Sequence, residues 1–464
     1  MVILISVKTF LEEVKSGSID TEGFISKVKA SSASIQEKYS PFITINGSFG
    51  TAKPANGALQ YLPVSVKDCL CTEGLRTTAG SKILDTYIPT FDATVVSRVK
   101  SAGGMILGKT AQDEFGFGTF STNCAYSIPK NPYDTERTCG GSSGGAGCIT
   151  AAADFPHIAI AESTGGSITA PAAFTGTVGL TPTYGRVSRY GLIDYSNSMD
   201  KVGVISKEVY DSALMLSIMS GHDPLDSTSY DKKSDDFTKY ADKSVKGIKV
   251  GIPAEYFNDI NDGVKKQVED ALHRLEAQGA EIVELSLPYT KYAIAAYYII
   301  AMGEASTNLA KYCGMRYGAQ EKINGEFSEY FSKVRSKAFG EEAKRRIILG
   351  TYMRAAGFRD AYYMKALEVR SILIKEFKSA FKHVDAIATP SMPMLPPRFD
   401  EIGKLSPMEI YNMDKMTTAP NLCGFPTISM PVGNSKGLPV GMQLIADHFM
   451  EGRLISLGSS LEAM

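Results

Sequence analysis

Two serines sit in glycine cradles on either side of an apolar segment, in the stretch Gly140 to Pro171, GGSSGGAGCITAAADFPHIAIAESTGGSITAP. Gly140-Gly141-Ser142-Ser143-Gly144-Gly145 opens it and Thr164-Gly165-Gly166-Ser167 closes it. Glycine clusters let the backbone take positive φ and come close to other groups, so that successive amides can converge on one oxygen. A hydroxyl among such amides is what a nucleophile beside an oxyanion hole requires. The intervening residues are too apolar for a linker. Cys148 to Ala153 reads as a helix and Ile158 to Ala161 as a buried strand end, which would present Ser167 at a tight turn with free amides around it.

The flanking sequence alternates strands and helices. Ala93 to Ser101 reads as a helix and Met105 to Gly108 as a strand. Gly247 to Ile252, a helix from Asp262 to Gln278 with Val264, Val268, Leu272 and Leu275 on one face, and Glu281 to Leu285 form a βαβ unit with Gly279 as its C-cap. These two units make the chain α/β. Helices follow over about 291–313 and 340–381, then strands at 385–389, 427–432 and 438–446, the last two joined by Asn434-Ser435-Lys436-Gly437. At the other end Val7, Phe10, Leu11 and Val14 keep helical spacing between a cap at Ser6 and a stop at Gly17, and a second short helix starts near Asp20. Residues 1–45 are read as a helical arm packed on a single catalytic domain, 46–464, with ordinary core-facing helices as the other reading.

Composition excludes several function classes. The chain has 464 residues, 44% of them hydrophobic, enough for a sizeable core. Lys plus Arg number 49 against 50 Asp plus Glu, so no global basic field drives nucleic-acid binding, and a nucleic acid would be held by a partner. Seven scattered cysteines point to a reducing compartment, and neither they nor the five histidines show metal-ligand spacing. No metal site is expected. The N-terminus MVILISVKTF has neither the form of a signal peptide nor that of a transit peptide, and the apolar run Tyr292 to Met302 is too short to span a membrane. Gly108 to Gly116 lacks the spacing of a phosphate loop.

A serine nucleophile needs a base. His157, the histidine nearest the serines in sequence, reads as a loop residue. Lys67, in the apolar strand Leu62-Pro63-Val64-Ser65-Val66-Lys67, is the better candidate. Buried there it would tend to be neutral and able to accept a proton; the other reading pairs it with an acid such as Asp68 or places it on a solvated face. The loop Thr181 to Gly191, with two arginines and two tyrosines, could hold an acidic group or rim the site. In Lys344-Arg345-Arg346 an inward arginine could clamp a carboxylate.

Taken together, Val66-Lys67-Asp68, Gly140 to Gly145 and Thr164-Gly165-Gly166-Ser167-Ile168 resemble the amidase signature family. The resemblance implies a large mixed β-sheet core flanked by helices on both faces and a Ser-cisSer-Lys triad. Ser167 would be the acyl-forming nucleophile, Ser142 the relay after a cis peptide bond, Lys67 the base and Ser143 a supporting residue. Backbone amides of Thr164, Gly165, Gly166 and Ser167 would form the oxyanion hole. Asp113-Glu114-Phe115, Thr183 to Arg189 and Asp414 ahead of Thr417-Thr418-Ala419-Pro420-Asn421 look like the A subunits of glutamyl-tRNA(Gln) amidotransferases. That narrower likeness implies glutamine as substrate, held by Arg346 and Asp414, with ammonia passed to a B subunit that amidates Glu-tRNA(Gln). It also implies a small third subunit, tRNA contacts made mainly by the B subunit, no cofactor in this chain, ATP and Mg at the partner, and no membrane insertion. Two positions depart from the family pattern: Ser163 stands where Asp is usual and Thr169 where Arg is usual. These departures resemble a fungal mitochondrial subunit of the matrix, with the bacterial cytoplasm as the alternative. Two other functions stay open: a stand-alone amidase for other carboxamides, and a catalytically silent scaffold.

Overall fold

The computed structural model describes residues 5–463, so the first four residues of the expected arm and of the apolar N-terminal run lie outside the described residues. Thirteen strands form, namely β1 Phe42–Ile45, β2 Pro63–Lys67, β3 Met105–Thr110, β4 Lys130–Asn131, β5 Asp134–Thr138, β6 Ile158–Ser163, β7 Val178–Thr181, β8 Lys201–Ser206, β9 Lys249–Pro253, β10 Glu281–Leu285, β11 Ala386–Pro390, β12 Thr427–Ser435 and β13 Leu438–Ala446. β4 and β5 make a separate hairpin, and the others form one 11-stranded sheet in the order β1-β3-β2-β6-β8-β7-β12-β13-β11-β9-β10. The sheet is mixed: β2 runs parallel to β3 and β6, β6 antiparallel to β8, and the βαβ unit pairs β9 and β10 in parallel. The expected large mixed sheet flanked by helices is present.

Burial explains the central strands. All five residues of β2 are buried, as are all six of β6 and all nine of β13, which requires cover on both faces. For β13 that cover comes from the helices Thr169–Thr175, Asp262–Ala277 and Glu451–Glu462. Ser65 and Lys67 therefore face protein and not solvent. Because β2 and β6 are parallel, with Val66 opposite Ile160, Lys67 and Glu162 leave the sheet side by side at the carboxyl ends of their strands. Open α/β sheets place their ligand sites at that edge.

Local signals set most element ends. Ser6 Oγ accepts from the Thr9 amide at the start of the helix Val7–Ser16, and Gly17 closes it at φ 72°. Asp20 caps the next helix, Thr21–Tyr39, which is longer than expected because nothing breaks it before Ser40-Pro41. Its Val28 and Ile35 join Phe42, Phe49, Leu107 and Phe155 in a second core, and β1 forms the sheet edge. The segment 340–381 is two helices, Glu341–Arg354 and Lys365–Ala380, separated where Gly357 takes φ 88°. Lys436 and Gly437, both at positive φ, make the two-residue turn that lets β12 run to Ser435.

The helix Gly144–Ala152 begins directly after the first serine cradle, and its Gly145 amide donates to Ala111 O at 3.0 Å. A Cβ on Gly145 would lie 2.4 Å from Pro41 O and 2.5 Å from Ala111 N, backbone atoms that cannot step aside alone. Gly145→Ala is expected to cost about 1–3 kcal/mol through overpacking. Chemical denaturation checks this, and an unchanged midpoint would show that the helix tolerates more distance from β3 than its glycines imply.

Candidate active site

Lys67 ends β2 with no exposed surface, and three acceptors surround its ammonium. Nζ lies 2.8 Å from Ser142 Oγ, 2.9 Å from Glu162 O and 2.8 Å from Glu162 Oε2. A buried amine is costly unless its hydrogens are matched, and all three directions are matched here. The acid beside Lys67 is Glu162 and not Asp68. Asp68 instead accepts from the Thr78 amide and hydroxyl and from the Gly80 amide. Burial thus places Lys67 against a counter-ion, where the sequence reading expected an apolar surround that would strip its proton.

The two cradles meet on this lysine. The Gly141–Ser142 peptide is cis, as the family resemblance implied. Ser143 Oγ donates to Glu162 O at 3.0 Å, the carbonyl Lys67 also uses, and the Ser143 amide donates to Ser167 O at 3.2 Å. These bonds set Ser142 and Ser167 beside one another, although among the described residues no hydrogen bond joins their hydroxyls directly. Ser167 keeps 8% of its surface exposed while Ser142 keeps none, so of the two only Ser167 can meet a ligand.

Around Ser167 the amides of Thr164, Gly165 and Ser167 have no intramolecular acceptor among the described residues. The Gly166 amide differs: it donates to Ser163 Oγ at 3.2 Å. The departure at Ser163 thus occupies one of the four amides expected in the oxyanion hole. Thr169, the second departure, starts the helix Thr169–Thr175 with its hydroxyl buried and unpartnered. Gly166 sits at φ 141°, and a Cβ there would come 2.2 Å from Thr417 Oγ1. Thr417 Oγ1 donates to Gly165 O at 2.6 Å, pinning the turn from the far side of the chain.

Arg346 and Asp414 are brought together by Tyr298. Arg346, 3% exposed, donates through Nε to Glu342 at 2.8 Å and through Nη1 to Tyr195 Oη at 2.6 Å. The rings of Phe117, Tyr195, Tyr298 and Tyr411 lie 5.0, 5.6, 5.3 and 5.6 Å from its guanidinium carbon, within cation–π range. The Tyr298 hydroxyl donates to Asp414 Oδ2 at 2.5 Å, and Thr119 donates to Oδ1 at 3.0 Å. Burial pushes the Asp414 carboxyl up to about 6. Asp414 connects to the nucleophile turn through Thr417, whose amide donates to Asp414 O at 3.1 Å, while Tyr297 covers Gly165 closely enough that a Cβ there would lie 2.4 Å from its hydroxyl.

Other groups read from the sequence lie elsewhere. His157 is buried between Ser65 and Thr150, its Nε2 2.7 Å from Ser65 Oγ, and burial pushes it down to about 3. In the arginine-tyrosine loop, Arg186 pairs with Glu451 at 2.8 Å and Arg189 binds Thr228 and Asn197, so neither guanidinium is free for a ligand. Sequence reasoning missed Glu162, Asp200, Thr417 and the tyrosines. One signal existed: Glu162 is a charged residue closing the apolar run Ile158-Ala159-Ile160-Ala161. Among the described residues no group of three or more His, Cys, Asp or Glu side chains is placed to hold a metal ion.

Known proteins fit this geometry. The amidase family model matches residues 44–455. The A subunit of the glutamyl-tRNA(Gln) amidotransferase of Persephonella marina is 44% identical over 456 residues, covering 97% of this chain and 91% of the relative. The corresponding protein of Koribacter versatilis is 47% identical over 408 residues, covering 87% and 84%. The crystal structure of the Thermotoga maritima counterpart superimposes with a TM-score of 0.83 at 35% identity, covering 99% of this chain and 94% of that one. With the lysine, both serines and the glycine turn in place, the chain belongs to the amidase family.

Proposed function

We propose that this protein is the A subunit of a glutamyl-tRNA(Gln) amidotransferase, which hydrolyses glutamine and releases ammonia for transfer to Glu-tRNA(Gln). The observation that carries the chemistry is the 2.8 Å contact between Lys67 Nζ and Ser142 Oγ behind a partly exposed Ser167 ringed by open amides. Ser167 Oγ attacks the side-chain carboxamide carbon and passes its proton to Ser142, which passes its own to Lys67. The amides of Thr164, Gly165 and Ser167 receive the developing oxyanion, the kind of preorganised donor set worth about 10²–10³-fold in rate per donor. Returning the proton through Ser142 expels ammonia and leaves a glutamyl ester on Ser167, which water then cleaves.

Arg346 and Asp414 select the substrate. A guanidinium for the α-carboxylate and a carboxylate for the α-ammonium fit a free amino acid, and their joint anchor in Tyr298 fixes the spacing between them. A stand-alone amidase for apolar amides would have no use for this buried pair of opposite charges. A silent scaffold would have no use for the matched lysine. The relatives' shared name supports a heteromeric complex with a B subunit that binds the tRNA, a small third subunit, and ATP with Mg²⁺ acting on the partner. All seven cysteines are free, which suits a reducing compartment, the mitochondrial matrix or the bacterial cytoplasm. No helix among the described residues is long and apolar enough to cross a membrane.

Ser167→Ala is expected to abolish glutamine-dependent transamidation while leaving ammonia-dependent transamidation intact, measured as Gln-tRNA formed with each nitrogen donor. Retained glutamine use would reject the nucleophile, and loss of both would point to a scaffold role. The second expectation concerns pH. Asp414 must be ionised to hold an ammonium, and with its carboxyl near 6 the KM for glutamine should be flat above pH 7. It should then rise about tenfold per unit once the pH falls below that value. Asp414→Asn should raise KM at every pH and remove the slope; a KM that ignores pH in the unaltered protein would release Asp414 from this role.

A further inference from the structure

Thr164 Oγ1 stands between two buried carboxyls, 2.8 Å from Glu162 Oε1 and 2.7 Å from Asp200 Oδ1. A threonine hydroxyl has one hydrogen. It can donate to only one of these oxygens, so the other must donate to it and carry a proton of its own. The surroundings decide which. Glu162 Oε2 faces the Lys67 ammonium at 2.8 Å, an arrangement that holds a negative charge. Asp200 Oδ2 accepts from the Tyr195 and Ser196 amides, both at 2.9 Å, and among the described residues no cation contacts either oxygen. Asp200 is fully buried, and that burial, with the charge of Glu162 beside it, pushes its carboxyl well above the usual range. The proton therefore sits on Asp200 Oδ1, and hydrogen bonds run in one direction from Asp200 through Thr164 to Glu162 and Lys67.

From this arrangement, and resting on the assignment of Lys67 as base, we propose that Glu162 is the proton acceptor behind Lys67 and that a neutral Asp200 positions it through the Thr164 hydroxyl. As a charged ammonium Lys67 has no lone pair to offer Ser142. Transfer of one Nζ proton to Glu162 Oε2 frees that lone pair without changing the net charge of the buried pair. Lys67 then takes the Ser142 proton, Ser142 takes the Ser167 proton, and the Ser167 Oγ–C bond forms as the carbonyl electrons move to the oxyanion. On collapse the C–N bond breaks, Lys67 returns a proton through Ser142 to the leaving nitrogen, and Glu162 returns its proton to Lys67. Two neutral carboxyls or two charged ones would each fail: the first leaves the lysine without an acceptor, the second puts two like charges on one hydroxyl.

The other titratable groups around this chain of hydrogen bonds are few. On the β2 side Cys69 and Asp113 lie in the field of Lys67, Tyr195 lies beside Glu162 across Gly116, and Arg189 and Asp194 act on Asp200. None makes a hydrogen bond to a Glu162 carboxylate oxygen.

The test uses the full chain in its amidotransferase complex, with glutaminase rate against pH as the readout. Glu162→Gln keeps the shape and cannot accept the proton, so kcat should fall at least about 10²-fold. In the unaltered enzyme, activity is lost only when the Lys67–Glu162 pair takes up an extra proton. In the variant Lys67 must itself lose a proton, so the acid limb should move to higher pH. A packing defect alone would lower the rate without moving that limb. Infrared difference spectra, which need no active enzyme, should show one protonated-carboxyl band that is absent from Asp200→Asn and kept in Glu162→Gln. Unaltered kcat with an unmoved acid limb in Glu162→Gln, or a band lost from Glu162→Gln instead, would overturn the proposal. Lys67→Met separates the two levels: an inactive Lys67→Met beside a fully active Glu162→Gln rejects Glu162 and keeps Lys67 as base, whereas an active Lys67→Met rejects both.

Discussion

Everything at this site depends on one buried ammonium. Lys67 has no exposed surface, so its charge must be met by protein, and the fold meets it with Glu162 from the neighbouring parallel strand and with the first serine of the glycine cradle. A charge moved from water into protein costs several kcal/mol unless it is paired and hydrogen-bonded. The parallel register of β2 and β6 is what sets that pairing, since it carries Lys67 and Glu162 out of the sheet at the same edge. The second cradle is then fixed to the first by the Ser143 bonds to Glu162 O and Ser167 O.

Much of the local architecture could be read from the sequence because it is set by short-range chemistry. Ser6 and Gly17 delimit the first helix, Lys436-Gly437 turns the last hairpin, and the βαβ unit from β9 to β10 follows its apolar spacing. The serine cradles were visible for the same reason, since glycines are placed there by close approaches within a few ångströms. Lys67 and Arg346 were visible as cations in unusual settings, one in an apolar strand and one in a cluster able to turn inward.

What could not be read depends on which distant segments touch. The sequence offered Asp68 as the partner of Lys67 because it is adjacent, yet adjacent residues on a strand point to opposite faces, and the true partner comes from 95 residues away. Arg346 draws its aromatic surround from Phe117, Tyr195, Tyr298 and Tyr411, four positions with no common motif. Nor could the sequence show that Ser163 takes the Gly166 amide, leaving three amides for the oxyanion in place of four. Each of these is a tertiary contact, and each changes the chemistry more than it changes the fold.

The central claim is that Ser167 carries the acyl group of glutamine. Acid-quenching the full complex during glutamine turnover and mapping the adduct by peptide mass spectrometry tests it most directly. A glutamyl ester on Ser167, with Ser142 and Ser143 unmodified, is the expected result. An ester on another residue, or turnover with no acyl-enzyme when deacylation has been slowed, would contradict the account.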